Sequence, residues 1–512
     1  MNIGRKITLG IGIILTALSG CQTPQPPKAP NLLYVFPDQF RNQAMAFWDT
    51  PEFEGSIRTK ADPVKTPQLD LFASDAMVFT NMVSNCPLCS PHRGSLMTGL
   101  FPGSSGVMLN CNSSRPVSSL RTDVTCFSDV LHESGYETAY IGKWHLDFPT
   151  PNDPANPGNY VDPRRPAWDT YTPKERRHGF NYWYSYGTWD VHKDPHYYDT
   201  DGKRHEPKEY SPKHEADKAI AYLKNETGER NPDKPFALFV SMNPPHSPYR
   251  SLADCMEEDY DLYKDIPVEK LLHRDNADTQ MPKAKSAPYY FANVTGVDRE
   301  FGRIVQQLKE MGEYENTIVV FSSDHGETMC SQGIKDPKNS IYTEAFSVPF
   351  LIRWPGMNKP VTNDLIMGSP DIMPTLLGML GLKDKIPPVH GFDYSDVLKG
   401  KEDAPAEQSA LYIRNYDGEK DSVGNVVSYF PVARGIQTHR FTLELTIDKN
   451  HQLVSTKFFN DQEDPYQLEN LPVDKNNPDV QQLLQEMAFW LKRSDDPWYK
   501  EQILSDWIKY DL

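Results

Sequence analysis

Cysteine is scarce in this chain: seven among 512 residues, at irregular spacing. That excludes a disulfide framework. Only one C-x-x-C pair occurs, Cys86 and Cys89. Taken alone it suggests a redox site or half a zinc site, but no second pair exists to complete a zinc ribbon. A basic excess is also lacking. Lys+Arg total 53 against Asp+Glu 70, a net charge of −17. Such a surface argues against nucleic acid as a partner and gives no general attraction to polyanions. An anionic substrate therefore needs a local pocket of Lys, Arg, His or metal ion. Internal repeats are absent. So is a comfortable membrane span, because the apolar stretch Ile7 to Leu18 is too short.

That stretch reads instead as a leader. Arg5 and Lys6 precede it, and Leu18-Ser19-Gly20-Cys21 follows, resembling the lipobox of bacterial lipoproteins. Residues 1–21 are expected to be a signal peptide, with Cys21 lipidated after cleavage. Gln22 to Pro30 is a proline-rich tether, extended and semi-stiff. These features predict a chain anchored by lipid in the bacterial envelope. The outer membrane is favoured because Gln22 is not the Asp associated with inner-membrane retention.

The remaining length is too great for one ordinary domain, and 38% hydrophobic residues supply a sizeable core. Short apolar runs predict buried strands at Asn31–Phe36, Thr138–Gly142, Phe236–Met242, Thr317–Ser322 and Pro349–Trp354. Between two of them, Val294, Val297, Phe301, Ile304, Val305 and Leu308 recur at helical spacing within 289–311. Alternating strands and helices predict an α/β fold with a large, mostly parallel sheet covered on both faces. From about residue 395 the texture changes. Phe441 to Ile447 alternates, and Val480 to Leu491 is amphipathic. The predicted layout is a catalytic domain over 31–395 and a smaller α+β subdomain over 396–512.

Four of the runs end in chemistry-bearing residues. Asp38-Gln39 follows the first, Lys143-Trp144-His145 the second, Asn243 to His246 the third, and Asp324-His325-Gly326 the fourth. In open α/β sheets, ligands bind beyond the carboxyl ends of the strands, so these groups are expected to converge. Asp38, Gln39 and Asp324 offer hard oxygen donors suited to calcium or magnesium. The presence of His325 keeps zinc as a further option.

Cys89 to Gly99 reads CSPHRGSLMTG. Cys89, Pro91, Arg93, Thr98 and Gly99 together resemble the signature of the formylglycine-dependent sulfatases, of the alkaline phosphatase-like superfamily. Gly142-Lys143-Trp144-His145 is similar to a second motif of that family. Segments at Thr66–Asp70, Asp371–Thr375 and Phe459–Leu471 extend the resemblance over nearly the whole mature chain. It implies that a maturation enzyme oxidises Cys89 to formylglycine, whose hydrate attacks the sulfur of a sulfate ester. It implies that Arg93 holds the hydrated aldehyde and His145 assists its collapse. Lys143 and Lys338 would bind sulfate oxygens, with His246 as leaving-group acid and a second contact to the sulfate. Calcium, or magnesium, would be held by Asp38, Gln39, Asp324, His325 and the modified Cys89. Two positions depart from the family pattern: Gln39 stands where a second Asp is usual, and His92 where Ser, Thr or Ala is usual.

The implied activity is hydrolysis of a sulfate ester on a carbohydrate, from a host glycan, a glycosaminoglycan or an algal polysaccharide. The aromatic stretch Trp183–Tyr210 could shape a sugar pocket or serve as packing. Rival readings are a phosphodiesterase or phosphonate monoester hydrolase of the same superfamily, and a non-catalytic glycan-binding lipoprotein with an unconverted Cys89.

Overall fold

The computed structural model describes residues 28–149, 167–357, 361–405 and 408–511, together with Met1 and Gly4. The proposed leader, Cys21 and most of the tether lie outside the described residues. Among the described residues, no helix is long and apolar enough to cross a membrane.

A ten-stranded sheet forms the centre. Its middle five strands are parallel, in the order Thr317–Ser322, Asn31–Val35, Phe236–Ser241, Glu137–Lys143, Tyr182–Tyr186. Four of these are the apolar runs expected as strands. All of their residues but the first of Glu137–Lys143 are buried, the pattern of strands covered on both faces. The Phe350–Arg353 strand pairs antiparallel with Thr317–Ser322 and carries the sheet outward to Met77–Phe79 and Val361–Asn363.

Helices cover both faces, giving two hydrophobic cores. The 24-residue helix Ala287–Glu310 contributes Val294, Val297, Phe301, Ile304 and Leu308 to one of them. Its Pro288 sits in the first turn, where a missing N–H costs nothing. The helix Ile372–Met379 contributes Ile372, Met373, Leu376 and Leu377 to the other.

The C-terminal part is a four-stranded antiparallel sheet, Ser409–Asp417, Tyr429–Thr438, Phe441–Ile447 and Leu453–Asn460. The helix Pro478–Arg493 packs on it through Val480, Leu484, Met487 and Leu491. The short helix Ser395–Leu398, at the expected junction, contributes Leu398 to the main core. The two parts are stitched together. Cys86 and Phe101 share the C-terminal core, and the Ile413 N–H donates to the Asn85 carbonyl at 2.7 Å.

The aromatic stretch 183–210 is mostly wall. Trp183, Tyr184, Tyr186, Tyr197, Tyr198 and Tyr210 are buried, several of them in strands at the sheet edge. Trp189 and Val191 are the exposed large apolar side chains of this stretch.

Candidate active site

The strand ends converge as expected, and each is held by its neighbours. The Asp38 N–H donates to the Met242 carbonyl at 2.8 Å, tying the first loop to the third strand. Tyr290, from the long helix, donates its hydroxyl to the Gln39 carbonyl at 2.9 Å and accepts the Arg41 N–H at 3.2 Å. At the second strand end, Gly142 has φ +96°, and a Cβ there would lie 2.0 Å from the Ser241 carbonyl oxygen. Only glycine permits that approach, and it presents Lys143 and His145 side by side.

Cys89 is the first residue of the helix Cys89–Thr98, every residue of which is buried. Gly99 closes the helix in the left-handed conformation, its N–H on the Ser95 carbonyl. His92, one of the two departures from the sulfatase pattern, makes its hydrogen bonds to serines outside the Cys89 cluster. Its Nδ1 lies 3.0 Å from Ser84 Oγ and 2.9 Å from Ser369 Oγ, pinning the helix between two loops. Burial first, then His325 and Arg93, push its pKa well down, so it is a neutral hydrogen-bonding post.

Around Cys89 Sγ stand Lys338 Nζ at 3.0 Å, His325 Nε2 at 3.3 Å, Asp38 Oδ1 at 3.7 Å and Lys143 Nζ at 4.0 Å. Burial alone would raise the thiol's pKa. Lys143, Lys338 and His325 outweigh it and hold the thiol well below its ordinary range, in the sense expected at a helix N-terminus. The position thus favours negative charge in a protein that carries an excess of it.

His246 Nε2 is 3.0 Å from Lys338 Nζ, and its Nδ1 is 2.8 Å from the Ser247 carbonyl and 3.3 Å from Asp190. Burial, Lys338 and Lys143 disfavour a charged imidazole. Asp38 and Asp190 favour it, and the balance lifts the pKa to about 9. Lys143 Nζ also meets Asp38 Oδ2 at 2.8 Å and Asn243 Oδ1 at 3.1 Å. His145 has its Nε2 on the Cys111 carbonyl at 3.1 Å and interacts with Cys89. Burial chiefly lowers its pKa, which keeps it neutral.

Arg93, expected to hold the hydrated aldehyde, is committed to its neighbours beside the unconverted Cys89. Its Nε donates to Asp324 at 3.0 Å, Nη2 to Asp38 at 3.1 Å, and Nη1 to Ser241 Oγ and the Lys143 carbonyl, both at 2.7 Å. With its donors so committed, it braces two carboxylates and reaches Cys89 only through its electric field.

Asp38, Asp324, His325 and Cys89 offer ligand atoms within 4.8 Å of one another, all buried. The donor set fits a divalent cation on three observations. His325 Nδ1 is held by the Gly326 carbonyl at 2.9 Å, which leaves Nε2 facing the carboxylates. Asp38 is depressed while Asp324 is raised, first by burial and then by Asp38, the signature of two carboxylates competing for countercharge. Gln39 hands its amide nitrogen to Glu327, leaving Oε1 buried without a hydrogen-bond partner. An orphaned buried acceptor on the residue next to Asp38, whose own N–H donates to Asp324 at 3.1 Å, is a group a cation would satisfy. A second candidate cluster, Cys126, Asp129 and His178, is accounted for by capping, since Asp129 accepts the Cys126 N–H at 2.8 Å.

All of the expected site residues within the described chain gather here. Glu327, Asn243 and Asp190 were missed as participants. Glu327 lies two positions after His325 and Asn243 opens the Asn243–His246 string, so both were within reach. Asp190 sits in a loop with no motif.

The Sulfatase family model matches residues 30–382, and that of the C-terminal region of N-sulphoglucosamine sulphohydrolase matches 333–493. An endo-4-O-sulfatase of Bacteroides thetaiotaomicron is 57% identical, over 98% of this chain and 100% of its own length. An ulvan-active sulfatase of Formosa agariphila is 35% identical, over 87% of this chain and 77% of its own. A solved structure described with the metabolism of multiple glycosaminoglycans by Bacteroides thetaiotaomicron superposes with a TM-score of 0.92 at 58% identity, covering 94% of this chain and 100% of the other.

Proposed function

The chain belongs to the sulfatase family, and from that premise we propose that it removes 4-O-sulfate groups from within a sulfated glycosaminoglycan chain. It is a sulfuric ester hydrolase of the alkaline phosphatase-like fold. The position of the sulfate and the endo action rest on the full-length relative named an endo-4-O-sulfatase. The observation that carries the site assignment is the convergence of Lys338, Lys143 and His325 on Cys89.

Converted to formylglycine, position 89 supplies a hydrated-aldehyde nucleophile that attacks sulfur and later releases sulfate by its own collapse. A divalent cation held by Asp38, Gln39, Asp324 and His325, calcium on the hardness of the oxygen donors, would supply positive charge beside it. Lys143 and Lys338 bind the sulfate oxygens and stabilise charge as the S–O bond breaks. His246 gives its proton to the departing sugar oxygen, with Asp190 holding the far side of the ring. His145, neutral and close to Cys89, accepts a proton during release. Arg93 fixes the two carboxylates so that they do not reorganise during turnover.

Lipidation at Cys21 and anchoring in the envelope, with 31–395 as the catalytic part and 396–512 as the subdomain, complete the proposal. A Cys21→Ala chain should leave the membrane fraction.

The test of the main reading is desulfation of 4-O- and 6-O-sulfated glycosaminoglycan oligosaccharides by protein co-expressed with a maturation enzyme. Intact mass should show Cys89 lighter by about 18 Da, and Cys89→Ala should abolish turnover. Release from 6-O-sulfated chains alone would overturn the positional assignment. Turnover by Cys89→Ala would overturn the nucleophile.

A further inference from the structure

A groove of about 490 Å³ opens from the side of the site formed by Cys89 and Lys338. Chain continuity and contacts place it there. Leu88 in its wall precedes Cys89, and Asn339 follows Lys338. Asn110, also in the wall, accepts the Ser90 N–H at 3.0 Å and brings its Nδ2 to 4.0 Å from Cys89 Sγ. The ring of Trp168 lies 6.3 Å from that of His145. The volume falls within the ~300–1,000 Å³ typical of small-ligand sites.

The lining suits a sugar ring. Trp168 and Tyr416 are 40% and 48% exposed, a poor use of large aromatics unless something covers them. Among the described residues few aromatics are exposed, and these two share one groove beside Cys89. Between them stands a prepared cation. Arg115 lies over the Trp168 ring at 5.6 Å, and its Nε is held by Asp417 at 2.7 Å. Its terminal nitrogens are only loosely engaged. Nη1 is 3.4 Å from the Asn110 carbonyl, and Nη2 is 3.5 Å from Asp417. Those distances lie at or beyond the limit of useful hydrogen bonds, so the outer edge of the guanidinium is free to take an oxyanion in bidentate fashion.

We propose that this groove is a saccharide subsite for the sugar next to the sulfated residue. Trp168 and Tyr416 form its apolar walls, and Arg115 pairs with an anionic substituent, carboxylate or sulfate, on that neighbour. The inference rests on the proposed endo action, because an enzyme that works inside a chain must accommodate the residue beyond the scissile sulfate.

The test compares converted wild type with Trp168→Ala and Arg115→Gln. Substrates are a 4-O-sulfated tetrasaccharide and the shortest 4-O-sulfated saccharide that the wild type turns over. Each variant should lower kcat/KM for the tetrasaccharide about tenfold to a hundredfold through KM, with kcat and activity on the short substrate retained. Equal losses on both substrates, or none on the tetrasaccharide, would overturn the subsite. Carboxyl-reduced tetrasaccharide and tetrasaccharide lacking the neighbour's sulfate identify the anion: wild type should lose on one of them what Arg115→Gln loses, and the variant should be indifferent. Indifference of the wild type to both removes Arg115 from the proposal. Should wild type fail to turn over any 4-O-sulfated chain, the functional reading falls. Calorimetric binding of the tetrasaccharide then decides the groove separately, with weakened binding by Trp168→Ala supporting it and unchanged binding overturning it.

Discussion

Glu327→Gln offers the sharpest test of how the cation site is built. Glu327 is fully buried and carries four donors: Gln39 Nε2, Tyr249 Oη at 2.7 Å, Lys283 Nζ at 2.7 Å and the Met329 N–H at 2.8 Å. As an ionised carboxylate it can only accept. It therefore fixes the Gln39 amide with its nitrogen on Glu327 and leaves its buried, unpartnered oxygen available to the proposed cation. A glutamine at 327 can satisfy Lys283 and Met329 with its own oxygen, but it then presents an NH2 to Gln39. The Gln39 amide must flip, and the cation loses an oxygen ligand. Loss of such a supporting partner costs about 10–100-fold in metal affinity, or ~1.4–2.7 kcal/mol at ~1.4 kcal/mol per tenfold. The measurement is calorimetric titration of Ca²⁺ into chelator-stripped protein. Tyr249→Phe is the control. It removes one neutral donor at 2.7 Å but leaves the carboxylate, its Lys283 ion pair and its contact to Gln39 in place, and it should bind Ca²⁺ within about threefold of wild type. Wild-type affinity in a folded Glu327→Gln protein would refute the orientation argument. A loss in Tyr249→Phe as large as that in Glu327→Gln would show that packing around position 327, not amide orientation, is what matters.

Three other outcomes are expected. His246, lifted to about 9 from an ordinary 6.5, should give kcat/KM an alkaline limb near pH 9, where the donor proton is lost; His246→Asn should remove that limb. By linkage its stabilising contribution is complete below about pH 6.5 and disappears as pH rises through about 9, which denaturant titrations at pH 6 and 10 can read. Gly142→Ala drives a Cβ into the Ser241 carbonyl at a positive φ and should cost about 3 kcal/mol or more; a denaturation midpoint unchanged from wild type would contradict the close approach. His92→Ala leaves Ser84 and Ser369 without a shared partner and should cost about 2 kcal/mol, with specific activity per folded, converted molecule intact.

Much of the site was legible because it is built from strand ends. Buried parallel strands read as apolar runs, and whatever follows them is carried to one edge of the sheet. Asp38, Lys143, His145, His246, Asp324 and His325 were found that way. Lys338 followed only from resemblance, since it lies in a loop past the Thr317–Ser322 strand with no periodic pattern around it. The aromatic stretch stayed open between pocket and packing for a physical reason. Tyr and Trp serve equally as stacking surfaces and as edge-strand packing, and composition does not separate them; in the fold most of its aromatics, those of the strand Tyr182–Tyr186 among them, are packing. Trp168 and Tyr416, far apart in sequence, carried no signal at all until the fold brought them to one groove. Arg93 was recognised as a site residue, but its committed donors could be counted only in three dimensions.

The burial of the Cys89 helix turns the proposed conversion of Cys89 into a matter of timing. In the finished fold Cys89 is 1% exposed. The loop before it is clamped by Asn85, whose Nδ2 donates to the Leu411 carbonyl and whose carbonyl accepts the Ile413 N–H. Those partners follow Cys89 by more than 300 residues. At roughly 5–20 residues per second of synthesis, the ribosome needs on the order of 15–65 s to reach them. During that interval the thiol lies in a chain whose closing strand does not yet exist. Order of synthesis thus sets a clock for any enzyme that must reach Cys89, and a chain that folds before it is oxidised has sealed away the residue it most needs changed.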